Sequence, residues 1–101
     1  MDSETNHDFP STFDGLLQLV KRLREPGGCP WDREQTRQTM KRYVMEECFE
    51  LIDAMESDET REIAEEIGDV AFNLAFQIQM AKENGAFEES AVFGTVAEKL
   101  T

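Results

Sequence analysis

Positive charge is scarce in this chain. Ten Lys and Arg stand against 22 Asp and Glu, a formal net charge of −12. Duplex nucleic acid and anionic membranes both call for clustered basic residues, so neither partner is expected. Cysteine is nearly missing. Cys29 and Cys48 are the only two, and no CxxC pair supports a zinc ribbon or a redox motif. Two free thiols are the simpler reading, although the pair could form a disulfide. The one histidine, His7, lies near the start. It leaves the chain poor in zinc ligands and without the Glu-x-x-His pairs of a di-iron bundle. No apolar run reaches membrane-spanning length. The polar stretch from Met1 to Pro10 lacks the basic and apolar regions of a signal peptide. These absences point to a soluble cytoplasmic protein. No window alternates as a strand does, so the expected class is all-α.

What is present suits one small domain, at 101 residues. Residues 1–10 read as a disordered N-terminus closed by Pro10, and residues 11–101 as a single domain. Ser11 or Thr12 caps a first helix running to about Arg24, with the stripe Phe13, Leu16, Leu17, Val20 and Leu23. Pro26-Gly27-Gly28-Cys29-Pro30 breaks it and opens a loop that carries the only tryptophan, Trp31, and then Asp32. A second helix starts near Gln35 or Thr36 and ends near Glu56. Its stripe is Val44, Cys48, Leu51, Ile52 and Met55, with Cys48 read as a small buried apolar residue. Ser57-Asp58 turns the chain. A third helix runs from about Thr60 to Asn84 over Ile63, Ile67, Val70, Ala71, Leu74 and Ile78, and Asn84-Gly85 stops it. A last short helix begins at Glu88 or Glu89 and uses Val92, Phe93, Val96 and Leu100. The second and third helices form an antiparallel hairpin. So short a chain leaves apolar area unburied, and a helical bundle completed by oligomerisation, as homodimer or homotetramer, is expected.

Two acidic clusters of one pattern flank the hairpin turn: Glu46-Glu47-Cys48-Phe49-Glu50 and Glu65-Glu66-Ile67-Gly68-Asp69. At about 100° per residue, Glu47 and Glu50 occupy one flank of their helix's apolar stripe. Glu66 and Asp69 occupy the matching flank of the next. Folded back, four carboxylates line one groove, which is costly without a hard cation between them. Glu46 and Glu65 sit further round. In so acidic a chain one such string is easily a solvated face, and only the paired spacing about a turn raises the case. Oxygen ligands favour Mg²⁺, or Mn²⁺, over zinc. Magnesium held by a few carboxylates completes its shell with water and substrate phosphates, which suggests a phosphate ester or polyphosphate.

The same residues resemble a known family. Glu46-Glu47-x-x-Glu50 followed by Glu66-x-x-Asp69 is similar to the EExxE…ExxD signature of MazG-type nucleoside triphosphate pyrophosphohydrolases. Gly28-Cys29-Pro30-Trp31-Asp32-Arg33-Glu34-Gln35-Thr36 resembles the GCPWDxxQT segment of MazG proteins proper, a highly specific string. Arg42-Tyr43-x-x-Glu46-Glu47 and Asn84-Gly85-Ala86-Phe87 also fit, so the resemblance covers about residues 13–100. It implies an all-α oligomer that converts nucleoside triphosphates to the monophosphate and pyrophosphate with magnesium. It implies Glu47, Glu50, Glu66 and Asp69 as metal ligands. Such domains usually continue into a basic, histidine-containing segment, whereas this chain stops at Thr101, as a truncated domain or a compact member.

Hydrolysis needs an aligned water and a base to take its proton, for which Glu46 and Glu50 are both candidates. Asn73, one turn past Asp69, could bond a water of the ion's shell, the sugar or the base, or be a half-exposed edge residue. Lys41 and Arg42, before Glu47, and Arg33, near the loop, could meet phosphates or be plain surface charges. Trp31 could stack on a nucleobase or pin its loop to the core. The GCPWD string tilts the loop towards a binding role and speaks against a dUTPase-like or phosphoribosyl-ATP enzyme. The alternative from another class is a catalytically weak or inactive helical module that acts in regulation or protein interaction.

Overall fold

Side-chain caps fix where two of the long helices begin. The computed structural model describes residues 9–101, so most of the expected disordered start, residues 1–8, lies outside the described residues. Helix α1 spans Phe13–Arg24, and the Thr12 hydroxyl accepts the Gly15 N–H at 3.0 Å. Helix α3 spans Arg37–Ser57. Its start is a reciprocal box: the Thr39 N–H donates to the Thr36 hydroxyl at 3.2 Å and the Thr36 N–H to the Thr39 hydroxyl at 2.8 Å. Helix α4 is Thr60–Glu83 and α5 is Glu89–Leu100. The turn between α3 and α4 uses Asp58 at φ 62°, a left-handed position that a short polar residue tolerates.

The expected loop between the first two long helices contains a helix of its own, α2, at Pro30–Glu34. Pro30 enters its first turn, where the ring's fixed φ suits a helix and the missing N–H costs nothing. Gly28 is needed for close approach. Its N–H donates to the Glu25 carbonyl at 2.8 Å and the next N–H, of Cys29, to the Leu23 carbonyl at 2.9 Å. A Cβ on Gly28 would run into that Leu23 carbonyl oxygen.

The described residues form five helices and no strand. Helix α4 is the axis: α3 packs along it as the antiparallel hairpin partner, and α1 packs on it from another side, with α2 against α1. The core gathers where α1, the start of α3 and the C-terminal half of α4 meet, around Val20, Met40, Ala75 and Phe76. Helix α5 is held by an edge-to-face contact of Phe93 on Phe13 at 5.4 Å and by a Lys82–Glu89 ion pair at 2.9 Å.

Several residues read as core stripe are not buried. Cys48 is an exposed free thiol, and Ile52, Met55, Ile67 and Leu74 are exposed. For all but Leu74, which lies level with the core between buried Asn73 and Ala75, the cause is length. Helix α1 has 12 residues, about 18 Å, against 24 in α4, about 36 Å. It covers only the core end, and the hairpin's far half keeps a single neighbour.

The core end is tied by Arg24. Its Nε and one terminal nitrogen make a two-pronged contact with the Glu83 carboxylate, both at 2.8 Å. Its other terminal nitrogen donates to the Asp32 carbonyl at 2.6 Å and the Gln35 carbonyl at 3.0 Å. The group lies 5.6 Å from the Phe76 ring centre and its side chain is 10% exposed. These bonds hold the Glu83 carboxyl below its ordinary value of 4.5. The group therefore adds stability in full above pH 4.5, and that contribution is lost as the pH falls through its lowered value. Arg24→Met should cost about 2–3 kcal/mol, since it strands two carbonyls and a carboxylate, and should lower the melting midpoint by roughly 10 °C. Arg24→Lys should restore only part, because an ammonium cannot fork. Thermal melts at pH 7 check both. At pH 3 the gap between wild type and Arg24→Met should narrow.

Candidate active site

The antiparallel hairpin brings acids from both of its helices to one groove. Glu47 comes from α3 and Glu66 and Asp69 from α4, and one carboxylate oxygen of each lies within 4.8 Å of the others. Glu66 and Asp69 are three apart, neighbours on one helix face. Glu47 and Glu66 are half-buried, and an occluded oxygen of each, Oε1, has no hydrogen-bond partner among the described residues. Burial raises the Glu47 carboxyl above 4.5, and the charges of Asp69, Glu50 and Glu46 raise it further. Glu66 is raised in the same way, by desolvation first and then by Glu50, Asp69, Glu47 and Glu65.

Ionised carboxylates only accept, so in that form no neighbouring acid can satisfy these oxygens. A hard divalent cation can, and hard oxygen donors without histidine or cysteine form a donor set for magnesium, manganese or calcium rather than zinc. The residues fit such an ion. Glu50, expected as a fourth ligand, is exposed and stands outside the group of three, although its charge reaches Glu47 and Glu66. Glu46, the other candidate base, has an oxygen 3.0 Å from the Arg42 Nε.

Beside the acids lies a cleft of about 260 Å³. Glu47 and Asp69 line it together with Trp31, Met40, Tyr43, Phe72 and Asn73. Trp31 is exposed and meets Tyr43 edge-to-face at 5.6 Å. It is not pinned in the core. Asn73 is buried and donates from Nδ2 to the Asp69 carbonyl at 3.0 Å. Two of the five substrate candidates, Trp31 and Asn73, thus join the acids at the cleft. The other three do not line it. Lys41 donates to the Gln38 side chain at 3.1 Å, Arg42 faces Glu46, and Arg33 borders a separate depression with Pro26, Pro30 and Glu83. A larger apolar groove of about 880 Å³ runs along Leu16, Leu19 and Leu23 of α1 and has none of these acids in its wall.

Sequence reasoning missed Tyr43, Met40 and Phe72 as cleft residues. Tyr43 had a usable signal, since it lies four before Glu47 and so on the same helix face. The Gln and Thr of the GCPWDxxQT string prove to be scaffold. Gln35 donates to the Trp31 carbonyl at 2.8 Å and accepts from the Thr39 hydroxyl at 2.8 Å, while Thr36 caps α3. No helix among the described residues is long and apolar enough to cross a membrane.

An all-helical hairpin with acids from both arms in its groove and an aromatic cleft at their side defines an all-α domain with a candidate site for a divalent cation. Residues 35–101 match the MazG nucleotide pyrophosphohydrolase domain, and the chain belongs to this family. It is 43% identical over 88 residues to the nucleoside triphosphate pyrophosphohydrolase/pyrophosphatase MazG of Thermotoga maritima, covering 87% of this chain and 34% of that protein. It is 40% identical over 89 residues to the nucleoside triphosphate pyrophosphohydrolase of Escherichia coli K12, with coverage of 87% and 34%. It is 38% identical over 94 residues to the uncharacterised protein YabN of Bacillus subtilis, with coverage of 93% and 18%. The chain therefore spans about a third or less of the length of these relatives.

The raised carboxyls give a signed expectation. Without a cation they oppose folding in full above their raised values, and the penalty disappears as the pH falls towards 4.5. A divalent ion should therefore stabilise most at neutral pH and least in acid, where protons compete for the same oxygens. Melts with Mn²⁺ or Mg²⁺ against EDTA should show a rise of several degrees at pH 7.5 that shrinks at pH 5. Glu47→Gln should raise the ion-free midpoint slightly and remove most of the ion-dependent rise.

Proposed function

We propose that the protein hydrolyses nucleoside and deoxynucleoside triphosphates to the monophosphate and pyrophosphate, with Mg²⁺ as the ion and Mn²⁺ as a substitute. The observation that carries this reading is the pair of buried, unpartnered oxygens on Glu47 and Glu66, grouped with Asp69 beside an aromatic cleft that Glu47 and Asp69 help to line. Glu47, Glu66 and Asp69 would hold the ion. Bound there, it supplies charge neutralisation and Lewis acidity to the polyphosphate. The chain's own part is to hold the nucleoside in the cleft against Trp31 and Tyr43 and to present a base to the attacking water. That water adds to the α-phosphorus, the bond to the bridging oxygen breaks, and pyrophosphate leaves. The water's proton goes to a carboxylate. Glu50 suits that role better than Glu46, because no described residue pairs with Glu50, whereas Arg42 occupies Glu46.

The exposed apolar side chains of the hairpin, Phe49, Ile52 and Met55 on α3 and Ile67 and Leu74 on α4, support assembly as a homodimer or homotetramer. A house-cleaning role in the cytoplasmic nucleotide pool follows from the reaction, since it removes a triphosphate in one irreversible step.

Product analysis tests the reading. Incubation with a panel of NTPs and dNTPs and Mg²⁺ should give monophosphate and pyrophosphate. Glu50→Gln, Glu47→Gln and Asp69→Asn should each lower kcat/KM by about a hundredfold or more. Diphosphate plus orthophosphate would put the cleaved bond elsewhere. A folded sample that binds the ion but turns over no nucleotide would favour the inactive helical module.

A further inference from the structure

Asn73 has an acceptor that the metal site does not explain. Its Nδ2 donates to the Asp69 carbonyl one turn back, at 3.0 Å. That carbonyl can only accept, so the orientation of the amide is fixed and Oδ1 is the atom left over. The residue is 6% exposed, and its Oδ1 is buried without a partner among the described residues. Buried amide oxygens left without a donor are uncommon, and each calls for a cause.

The surroundings say what kind of donor fits. Asn73 lines the cleft together with Trp31, Met40, Tyr43 and Phe72, whose side chains are aromatic or apolar, and with the acids Glu47 and Asp69. Those acids are acceptors and cannot serve Oδ1. A phosphate would set its own negative oxygens against the amide oxygen. A flat heteroaromatic ring with an N–H on its edge satisfies both features at once, because its faces suit the aromatic walls and its edge donates.

We propose that Asn73 reads the nucleobase: its Oδ1 accepts an amino or imino N–H of a base that lies against Trp31 and Tyr43. This rests on the nucleotide reading above and deepens it. It makes Asn73 a specificity-determining residue, and it makes the preferred base one that carries a donor where Oδ1 waits. A base with a ring nitrogen acceptor or a methyl group at that position leaves Oδ1 unpaired and is rejected.

The chain holds its own reporter, because Trp31 is its only tryptophan and stands at the cleft. Wild-type protein is titrated with the four common nucleosides and with their ring- or amino-N-methylated counterparts, following Trp31 fluorescence. At least one nucleoside should quench saturably. Methylation of its donor should weaken binding on the order of tenfold or more. Asn73→Leu, checked for fold by circular dichroism and for the ion-dependent melting rise, should weaken the parent nucleoside to the same degree and leave the methylated one unchanged. Equal binding of methylated and unmethylated nucleosides would overturn the assignment. So would sensitivity to the sugar hydroxyls alone, or no saturable quench. Turnover of the triphosphate panel is measured on the same sample. Nucleoside binding without turnover counts against the pyrophosphohydrolase reading alone, and turnover without base dependence counts against Asn73 alone.

Discussion

One guanidinium, that of Arg24, bonds three segments at once, and the working parts of the fold are arranged around it. It closes α1 onto the end of α4 through Glu83 and catches the carbonyls of Asp32 in α2 and Gln35 in the link to α3. Helix α2 has five residues and cannot sustain itself in water. Its position is borrowed from this contact, from Gln35 bridging to the Trp31 carbonyl, and from the tight Gly28 turn. Trp31 rides on α2, so the wall of the cleft depends on a bond made on the opposite side of that short helix. Loss of the clamp would loosen a binding surface before it unfolded the hairpin.

The acids divide into two electrostatic kinds. Glu83 meets a fork of donors and is held below its ordinary value by them, which marks a finished structural pair. Glu47 and Glu66 meet burial and other acids, and both are pushed up. The residue type is the same and the environments oppose each other. Only the second kind stores unfavourable energy that a cation can release, and such groups concentrate at functional sites. The stretch around the acids has few buried residues, and Gly68 and Ala71 beside Asp69 border the open groove along α1.

Most of the helices were legible because capping and periodicity are local. Thr12, the Thr36 start, the Asp58 turn and the Asn84-Gly85 stop all stand within a residue or two of where sequence places them. The meeting of Glu47 with Glu66 and Asp69 was legible for a related reason, because equal spacing about a turn fixes the height at which antiparallel helices face each other. Burial was not. The stripe through Cys48, Ile52 and Met55 shows the same periodicity as a core stripe, and only the short reach of α1 decides that it stays uncovered. The Arg24–Glu83 pair is 59 residues apart in sequence, and nothing local announces it. Arg33, Lys41 and Arg42 stand near the site along the chain, open to phosphate contact or to a plain surface role, and none of them lines the cleft.

The face of α4 also sets a distance. Glu66, Asp69 and Asn73 follow one another at spacings of three and four, which puts them on a single helix face. Seven residues of α-helix advance about 10 Å. That is the scale of the step from a polyphosphate to the edge of its base, so one rigid helix can hold the ion-binding acids at one end and the amide acceptor at the other. The rigidity is supplied just beyond Asn73, where Ala75, Phe76 and Ile78 are packed into the core. On the proposed reading, discrimination does not require the cleft to reshape. A base that fails to donate to Asn73 remains tethered by its phosphates but loses its register against the aromatic walls, and the α-phosphorus shifts relative to Glu50. A small edge difference on the base would then be felt at the bond that breaks, transmitted by the pitch of α4 alone.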